Sequence, residues 1–290
     1  MPMQTDGQAE KRGDVTVHWL GAAGVAIASG GRCVLIDPYF SRLPLPRLLA
    51  GTPLPDPARI AAAWQRLPGA VSAVAVSHTH IDHALDLPAL ARLTDAPIFG
   101  NASLAALLTR AALPRRVDVC HPGDARTLPP LGRLTVFAGA HGGLLFGRPP
   151  LPGEIAPDGP QPLRARGYRA GEVLVFDLTI TGRRFVHVGS AGVAADALPE
   201  GACDVLFLCV PGWRTQPDYP AAFLRRLRPQ RIVPIHFDRM TRPLDDPRTR
   251  QPDPLIMRLL DLPGFLERLH SAAPDIPVLW PPLWDPMPPA

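Results

Sequence analysis

Residues 76–90 read VSHTHIDHALDLPAL, and the fold turns on them. Three histidines fall within six positions, with Asp82 between the second and third. The continuous apolar run Val71–Val76 just before them suits a buried strand. The end of such a strand carries the next side chains to the rim of a sheet, where sites commonly form. His78 and His80 are two apart on that loop, so one turn of chain aims both rings at a common point. Asp82 and His83 face a neighbouring point. Neutral imidazole is the commonest metal ligand, and three protein ligands plus a water is the usual arrangement of catalytic zinc. A polar loop with accidental histidines explains the cluster poorly. At this composition H-x-H-x-D-H arises by chance in roughly one such chain in two thousand.

Upstream, residues 15–40 (VTVHWLGAAGVAIASGGRCVLIDPYF) hold three β-rich segments, Val15–Leu20, Val25–Ser29 and Cys33–Asp37. Gly30-Gly31 between the last two is a hairpin signal, because glycine takes positive φ without steric cost. Leu43–Pro57 is proline-rich and reads as a surface loop, and helical spacing follows over Ala58–Leu67. Downstream, the spacing predicts helices over Leu85–Leu93, Ser103–Ala112, Tyr219–Leu227 and Leu255–His270. Strands are predicted at Ile98-Phe99, Val117–Cys120, Leu134–Ala138, Val173–Thr181, Arg184–Val188, Val205–Val210, Arg231–Ile235 and Val278–Trp280. Residues 147–166, rich in Gly, Pro and Arg, read as a mobile insertion.

Strands dominate the first third, and strand–helix alternation follows in two blocks. That order is what an α/β sandwich of two mixed β-sheets with helices outside would require. We expect one domain over residues 15–280. A frayed, disordered tail is expected at 1–14, and a Pro-rich tail, PPLWDPMPPA, too rich in proline for regular structure, at 281–290.

The chain is 290 residues long, 46% apolar and 19% charged, enough to bury one large core. No apolar run reaches the roughly 18 residues that span a bilayer, and the start, MPMQTDGQAEKRGD, lacks the apolar segment of a signal peptide. Cytoplasmic residence is therefore expected. The net charge of +4 comes from arginines scattered along the chain, with Lys11 the lone lysine. Such scatter suits plain surface charge, and no nucleic-acid partner is expected. Cys33, Cys120, Cys203 and Cys209 lack CxxC spacing and sit in apolar, strand-like runs, so buried reduced thiols are expected.

S-H-T-H-I-D-H (Ser77–His83) resembles the H-x-H-x-D-H signature of the metallo-β-lactamase fold superfamily of metallohydrolases. The approach HWLGAAGVAIASGGRCVLIDP is similar to that superfamily's opening strands. PIHF (Pro234–Phe237) resembles the strand end supplying the last ligand in the branch of ascorbate-phosphate lactonases and N-acyl-phosphatidylethanolamine phospholipase D enzymes. The resemblance covers about residues 15–240 and implies a four-layer αβ/βα sandwich of two mixed β-sheets flanked by helices, matching the element order. It implies that His78, His80 and His141 (in FAGAHGG) hold one metal, and Asp82, His83 and His236 a second. Zn2+ is the expected ion, one or two per chain, with Fe or Mn also suited to these ligands. One residue departs from the pattern. The superfamily's bridging aspartate is replaced, because FVHVGSAGV places Ser190 there. A hydroxyl is a far poorer ligand for a dication than a carboxylate, so the second site is expected to be weaker or completed by Asp196 or Asp238.

The activity implied is hydrolysis of an ester, lactone or phosphodiester by a metal-activated water, with Asp82 orienting that water or accepting its proton. The alternative, resting on Ser190, is a catalytically weakened metal-binding or scaffold protein of the same fold. Asp37, ending an early strand, is expected to hold a ligand loop or a histidine N–H, or else merely to end a strand before Pro38. Trp213, Arg214 and, in the insertion, Arg148 are candidate contacts for a small-molecule or lipid-like substrate with an apolar or anionic group. His18, His121 and His270 read as structural or exposed, and His187 as facing the sheet interior.

Overall fold

The computed structural model describes residues 14–49, 51–143, 147–159, 161–194, 198–252 and 261–287. A first sheet is built from β1 (Val15–Gly21), β2 (Gly24–Ser29), β3 (Arg32–Ile36), β4 (Ala70–Ala75), β5 (Ile98–Gly100), β6 (Val117–Val119) and β13 (Pro286–Met287), in the order β13-β1-β2-β3-β4-β5-β6. The first three strands pair antiparallel, and β3 to β6 run parallel. A second sheet repeats the scheme with β7 (Ala125–Leu128), β8 (Gly132–Ala138), β9 (Leu174–Ile180), β10 (Arg183–Val188), β11 (Gly201–Cys209) and β12 (Leu227–Ile235), in the order β12-β11-β10-β9-β8-β7. There β7 to β10 pair antiparallel, and β10 to β12 run parallel. One continuous apolar cluster joins both sheets, and helices cover them, giving the α/β sandwich.

Local chemistry accounts for these elements. Gly30 and Gly31 turn the β2–β3 hairpin at φ of 57° and 74°. Strands β4 and β11 are apolar runs buried along most of their length, as parallel strands covered on both faces must be. Helix α1 (Leu45–Leu49) lies in the proline-rich loop, and α2 (Pro57–Gln65) opens with Asp56 accepting from Ala58 N and Arg59 N at 3.1 Å. Two single turns, α3 (Ile81–Ala84) and α4 (Leu87–Leu90), replace the continuous helix predicted over Leu85–Leu93. Helix α5 (Ala102–Arg110) is capped by Asn101, and α6 (Ala221–Arg226) leads into β12. Helix α7 (Leu262–Ala272) overlaps the last predicted helix, whose residues 255–260 lie outside the described residues. Among the described residues, no helix is long and apolar enough to cross a membrane.

Three expectations are corrected. The Pro-rich C-terminal segment is part of the domain: Pro286–Met287 pairs with β1, Trp19 bridges Leu283, and Leu283, Trp284 and Met287 are buried. Its apolar side chains join the core cluster, and proline is tolerated on an edge strand, where it need not donate to the ladder. Val278 contributes only an isolated bridge to Ile232 in place of a strand. Residues 147–166, where described, are fastened down: Ala170 N bonds Leu151 O (3.0 Å), Gly171 N bonds Gly153 O (2.9 Å), and Ala165 N bonds Gly51 O (3.0 Å). Ile155 and Ala165 are buried there, so the insertion packs its few apolar groups. Residues 1–13, within the expected N-terminal tail, lie outside the described residues.

Candidate metal centre

The strands aim their ends at one rim. His78 follows β4, His141 follows β8, Ser190 follows β10 and His236 follows β12, while Asp37 follows β3. Two triads result. Ligand atoms of His78, His80 and His141 all lie within 4.8 Å of one another, and so do those of Asp82, His83 and His236. The triads adjoin, with the His78 and His83 rings 3.9 Å apart between centroids.

Four of the five rings have one nitrogen turned to a partner outside the triads. Ser77 Oγ donates to Asp37 Oδ2 (2.6 Å) and accepts from His78 Nδ1 (3.1 Å). His80 Nε2 donates to Pro150 O at 3.0 Å, and His141 Nδ1 to Gly142 O at 2.7 Å. His83 Nδ1 lies 2.9 Å from Asp37 Oδ2. In the first triad these partners set the tautomers, so the inner nitrogens carry lone pairs. His78 Nε2 and His80 Nδ1 then face each other at 3.1 Å, two lone pairs that a cation between them would satisfy. The donor set of imidazoles and one carboxylate suits a borderline divalent metal, and the residues fit such an ion.

The charges agree. Burial, then neighbouring imidazoles, holds His78 well below the ordinary histidine range. Burial lowers His80 too, and burial with the His80 charge takes His141 down to about 3. Neutral rings are the ligating form. His83 goes the other way: burial would lower it, but the Asp37 and Asp82 carboxylates outweigh burial and raise it, so a dication at the second triad would displace a proton from this ring. Burial alone would raise Asp82 and Asp37, but the His83 charge leads the opposing interactions and both end below the ordinary range. In Asp82 the His236 Nε2, 2.9 Å from Oδ2, adds to this. Both carboxylates therefore bring negative charge to the centre.

The other predicted residues divide. Asp37 touches His83, Ser77 N (2.7 Å) and Ser77 Oγ, so one carboxylate braces both triads. Gly189 allows this closeness: a Cβ there would lie 2.3 Å from Ser77 Oγ. Ser190 is buried at the end of β10, and Asp196 lies outside the described residues. Asp238 is corrected as a completing ligand. Its Oδ1 accepts from Ala22 N (3.0 Å) and its Oδ2 from Arg42 Nη2 (2.5 Å), which engages both oxygens. Trp213 is also corrected, being buried against Phe265 with the Arg268 guanidinium 4.7 Å from its ring centroid. Its packing partners come from α7, beyond the reach of local pattern. Arg214 and Arg148 are exposed. Their loops meet near His141, since Thr215 Oγ1 accepts from Gly143 N (2.7 Å) and a Cβ on Gly143 would lie 2.9 Å from Arg148 N.

His187 is buried, donating Nε2–H to Ala23 O at 2.8 Å. His18 bonds Trp284 O (3.0 Å), His121 lies 3.2 Å from exposed Glu172, and His270 is exposed near the end of α7. All four cysteines are free and buried. Sequence reasoning missed Ser77 and the carbonyls of Pro150 and Gly142. Ser77, lying between the strand and the first histidine, was visible, whereas a backbone acceptor leaves no signal in residue identity.

A family profile described as "Beta-lactamase superfamily domain" matches residues 32–237. A UPF0173 metal-dependent hydrolase of Cupriavidus taiwanensis is 29% identical over 237 residues, covering 78% of this chain and 75% of the relative. Among solved structures, the metallo hydrolase Igni18 of Ignicoccus hospitalis aligns with a TM-score of 0.53 at 17% identity, over 94% of this chain and 97% of its own. The metallo-beta-lactamase fold protein YhfI of Bacillus subtilis aligns with a TM-score of 0.54 at 12% identity, over 95% and 99%. At such identities the solved structures speak for the fold alone.

Proposed function

The chain belongs to the beta-lactamase superfamily domain family, and from that premise we propose that it is a metal-dependent hydrolase acting on an ester or lactone that carries an anionic group. The observation that carries this reading is the pair of facing lone pairs on His78 and His80 beside a second triad. The Cupriavidus relative, named a metal-dependent hydrolase, supports the same class. His78, His80 and His141 would hold one Zn2+, and Asp82, His83 and His236 a second. A bound dication supplies water acidified for attack at neutral pH and offsets charge on the scissile oxygen.

The chain's own residues do the rest. Asp82 keeps a partly exposed carboxylate beside both triads, where it orients the attacking water and takes up its proton. Asp37 holds His83 and, through Ser77, His78 in their ligating tautomers. Arg148 and Arg214, on loops that meet at Gly143, receive the substrate's carboxylate or phosphate. With four free buried thiols, a reducing compartment such as the cytoplasm suits the protein.

Ser190 favours a second reading, a binding protein of weakened catalysis, since two dications here would have Asp82 and Asp37 for charge balance and, among the described residues, no bridging carboxylate. The experiment compares wild type with His80→Ala and Asp82→Ala for metal per chain and for turnover of chromogenic esters, lactones and bis-aryl phosphates. Ester or lactone cleavage that falls with metal content supports the proposal. Cleavage of the phosphates alone reverses the substrate order, and full metal content without turnover favours the binding protein. Unchanged metal in both variants refutes the site.

A further inference from the structure

We propose that Arg42, Asp238 and the turn residue Ala22 form a clip that positions His236, and so set the affinity of the Asp82–His83–His236 site; this rests on the metal reading above. His236 sits just past β12 with φ of 65°, a left-handed conformation that side-chain-bearing residues avoid. Something must hold it there. Its N–H donates to Ala22 O at 2.9 Å, and two residues on, Asp238 Oδ1 accepts from Ala22 N at 3.0 Å. A single residue of the β1–β2 turn thus grips the ligand loop at two points, through its N–H and its carbonyl. Between them, Phe237 stacks on Trp19 at 5.0 Å, and Trp19 Nε1 donates to the same Ala22 carbonyl at 2.9 Å.

Arg42 closes the clip. Its side chain and that of Asp238 are both fully buried, with Nη2 2.5 Å from Oδ2. The same guanidinium donates from Nη2 to Arg239 O (2.9 Å) and from Nε to Arg242 O (3.0 Å), so it also pins the chain leaving the loop. Gly21 makes room for it, because a Cβ there would lie 2.4 Å from Arg42 Nη1. None of these bonds involves a ligating atom of His236. The clip acts on its backbone, and therefore on where Nε2 points relative to Asp82. His78 and His80 come from a different loop, so the effect is confined to one site. Arg42 and Asp238 are positioning residues.

A purely structural ion pair behaves differently. Replacing a buried pair by apolar residues of similar volume is often neutral for stability, and it would leave both metals untouched. The test is a cobalt(II) titration of full-length, chelator-stripped protein, followed by visible absorption and by metal per chain. Wild type should take up two ions, the second more weakly. Arg42→Met/Asp238→Leu should bind the first as wild type and the second about 10- to 100-fold more weakly. On a His236→Ala background the same pair of changes should add nothing. Asp238→Asn, which keeps an acceptor for Ala22 N but drops the charge facing Arg42, should fall between, and it carries the comparison if the double variant does not fold.

A second ion bound with wild-type affinity by the variants overturns the clip. So does equal weakening of both sites, or a further loss on the His236→Ala background. A wild-type titration that ends at one equivalent also overturns it, leaving no second affinity to set. Wild type that takes up no cobalt refutes the metal reading itself.

Discussion

Replacing Asp86 should change how stability depends on pH. Its carboxylate is fully buried; Oδ2 accepts from Phe40 N (2.5 Å) and Ser41 N (2.8 Å), and Oδ1 accepts from Ser41 Oγ. It thereby ties the loop carrying Arg42 to the residues just after α3. Burial pushes this carboxyl up to about 6 from the ordinary 3.8, against the lowering effect of the Ser41 and Phe40 donors. The folded protein holds the proton to about pH 6, while the unfolded chain releases it near pH 4. Between those values the folded state binds more protons, so stability falls as pH rises. The gap corresponds to about 3 kcal/mol, fully present below about pH 4 and lost as the pH passes about 6.

Asp86→Asn keeps a carbonyl for the two amides and removes the titration. The measurement is the urea-unfolding free energy of wild type and Asp86→Asn, from about pH 4 to pH 7 at fixed metal concentration. Taking the difference cancels the histidines, which titrate in both proteins. It should move by about 3 kcal/mol in favour of the variant as pH rises. Asp86→Ala instead strands two amides and a hydroxyl, and should cost about 3 kcal/mol at pH near 5. Parallel curves for wild type and Asp86→Asn would refute the burial argument.

Three further outcomes are expected. Gly189→Ala puts a methyl 2.3 Å from Ser77 Oγ and 2.7 Å from Asp37 Oδ2, so it should lower metal content at both sites and cost about 1–3 kcal/mol, read by elemental analysis and thermal melting. Deleting residues 281–290 exposes the site of Leu283, Trp284 and Met287 and should cost roughly 5 kcal/mol; a melting temperature within a few degrees of wild type would count against the tail's place in the core. Burial raises the thiols of Cys33 and Cys203 to about 12 and that of Cys120 to about 11, with Cys209 also well above its ordinary value. A thiol reagent at neutral pH should therefore modify none of the four until denaturant is added.

What could be read before the structure depended on how far apart the cooperating residues lie. His78, His80, Asp82 and His83 occupy one loop, so their spacing carried the chemistry directly. His141 and His236 come from other strands and were reached through motif resemblance. Strand β7, with sequence ARTL, has only Leu128 buried, and so lacks the apolar alternation that marks a strand. The burial of Trp213 depends on Phe265 and Arg268, and the role of Asp238 on Arg42. These partners lie tens to hundreds of positions away, and no local pattern announces them. Pro150 contributes a carbonyl that any residue would have.

Each triad draws its candidate ligands from both sheets. His78, His80, Asp82 and His83 follow β4 in the first, whereas His141 and His236 follow β8 and β12 in the second. A bound ion is thus a rivet through the sandwich. One held at a thousand times its dissociation constant adds about 4 kcal/mol to the folded state, borne at the seam between the layers. Chelation should accordingly be felt as faster amide exchange along facing strand ends, well beyond the loops that hold the ion.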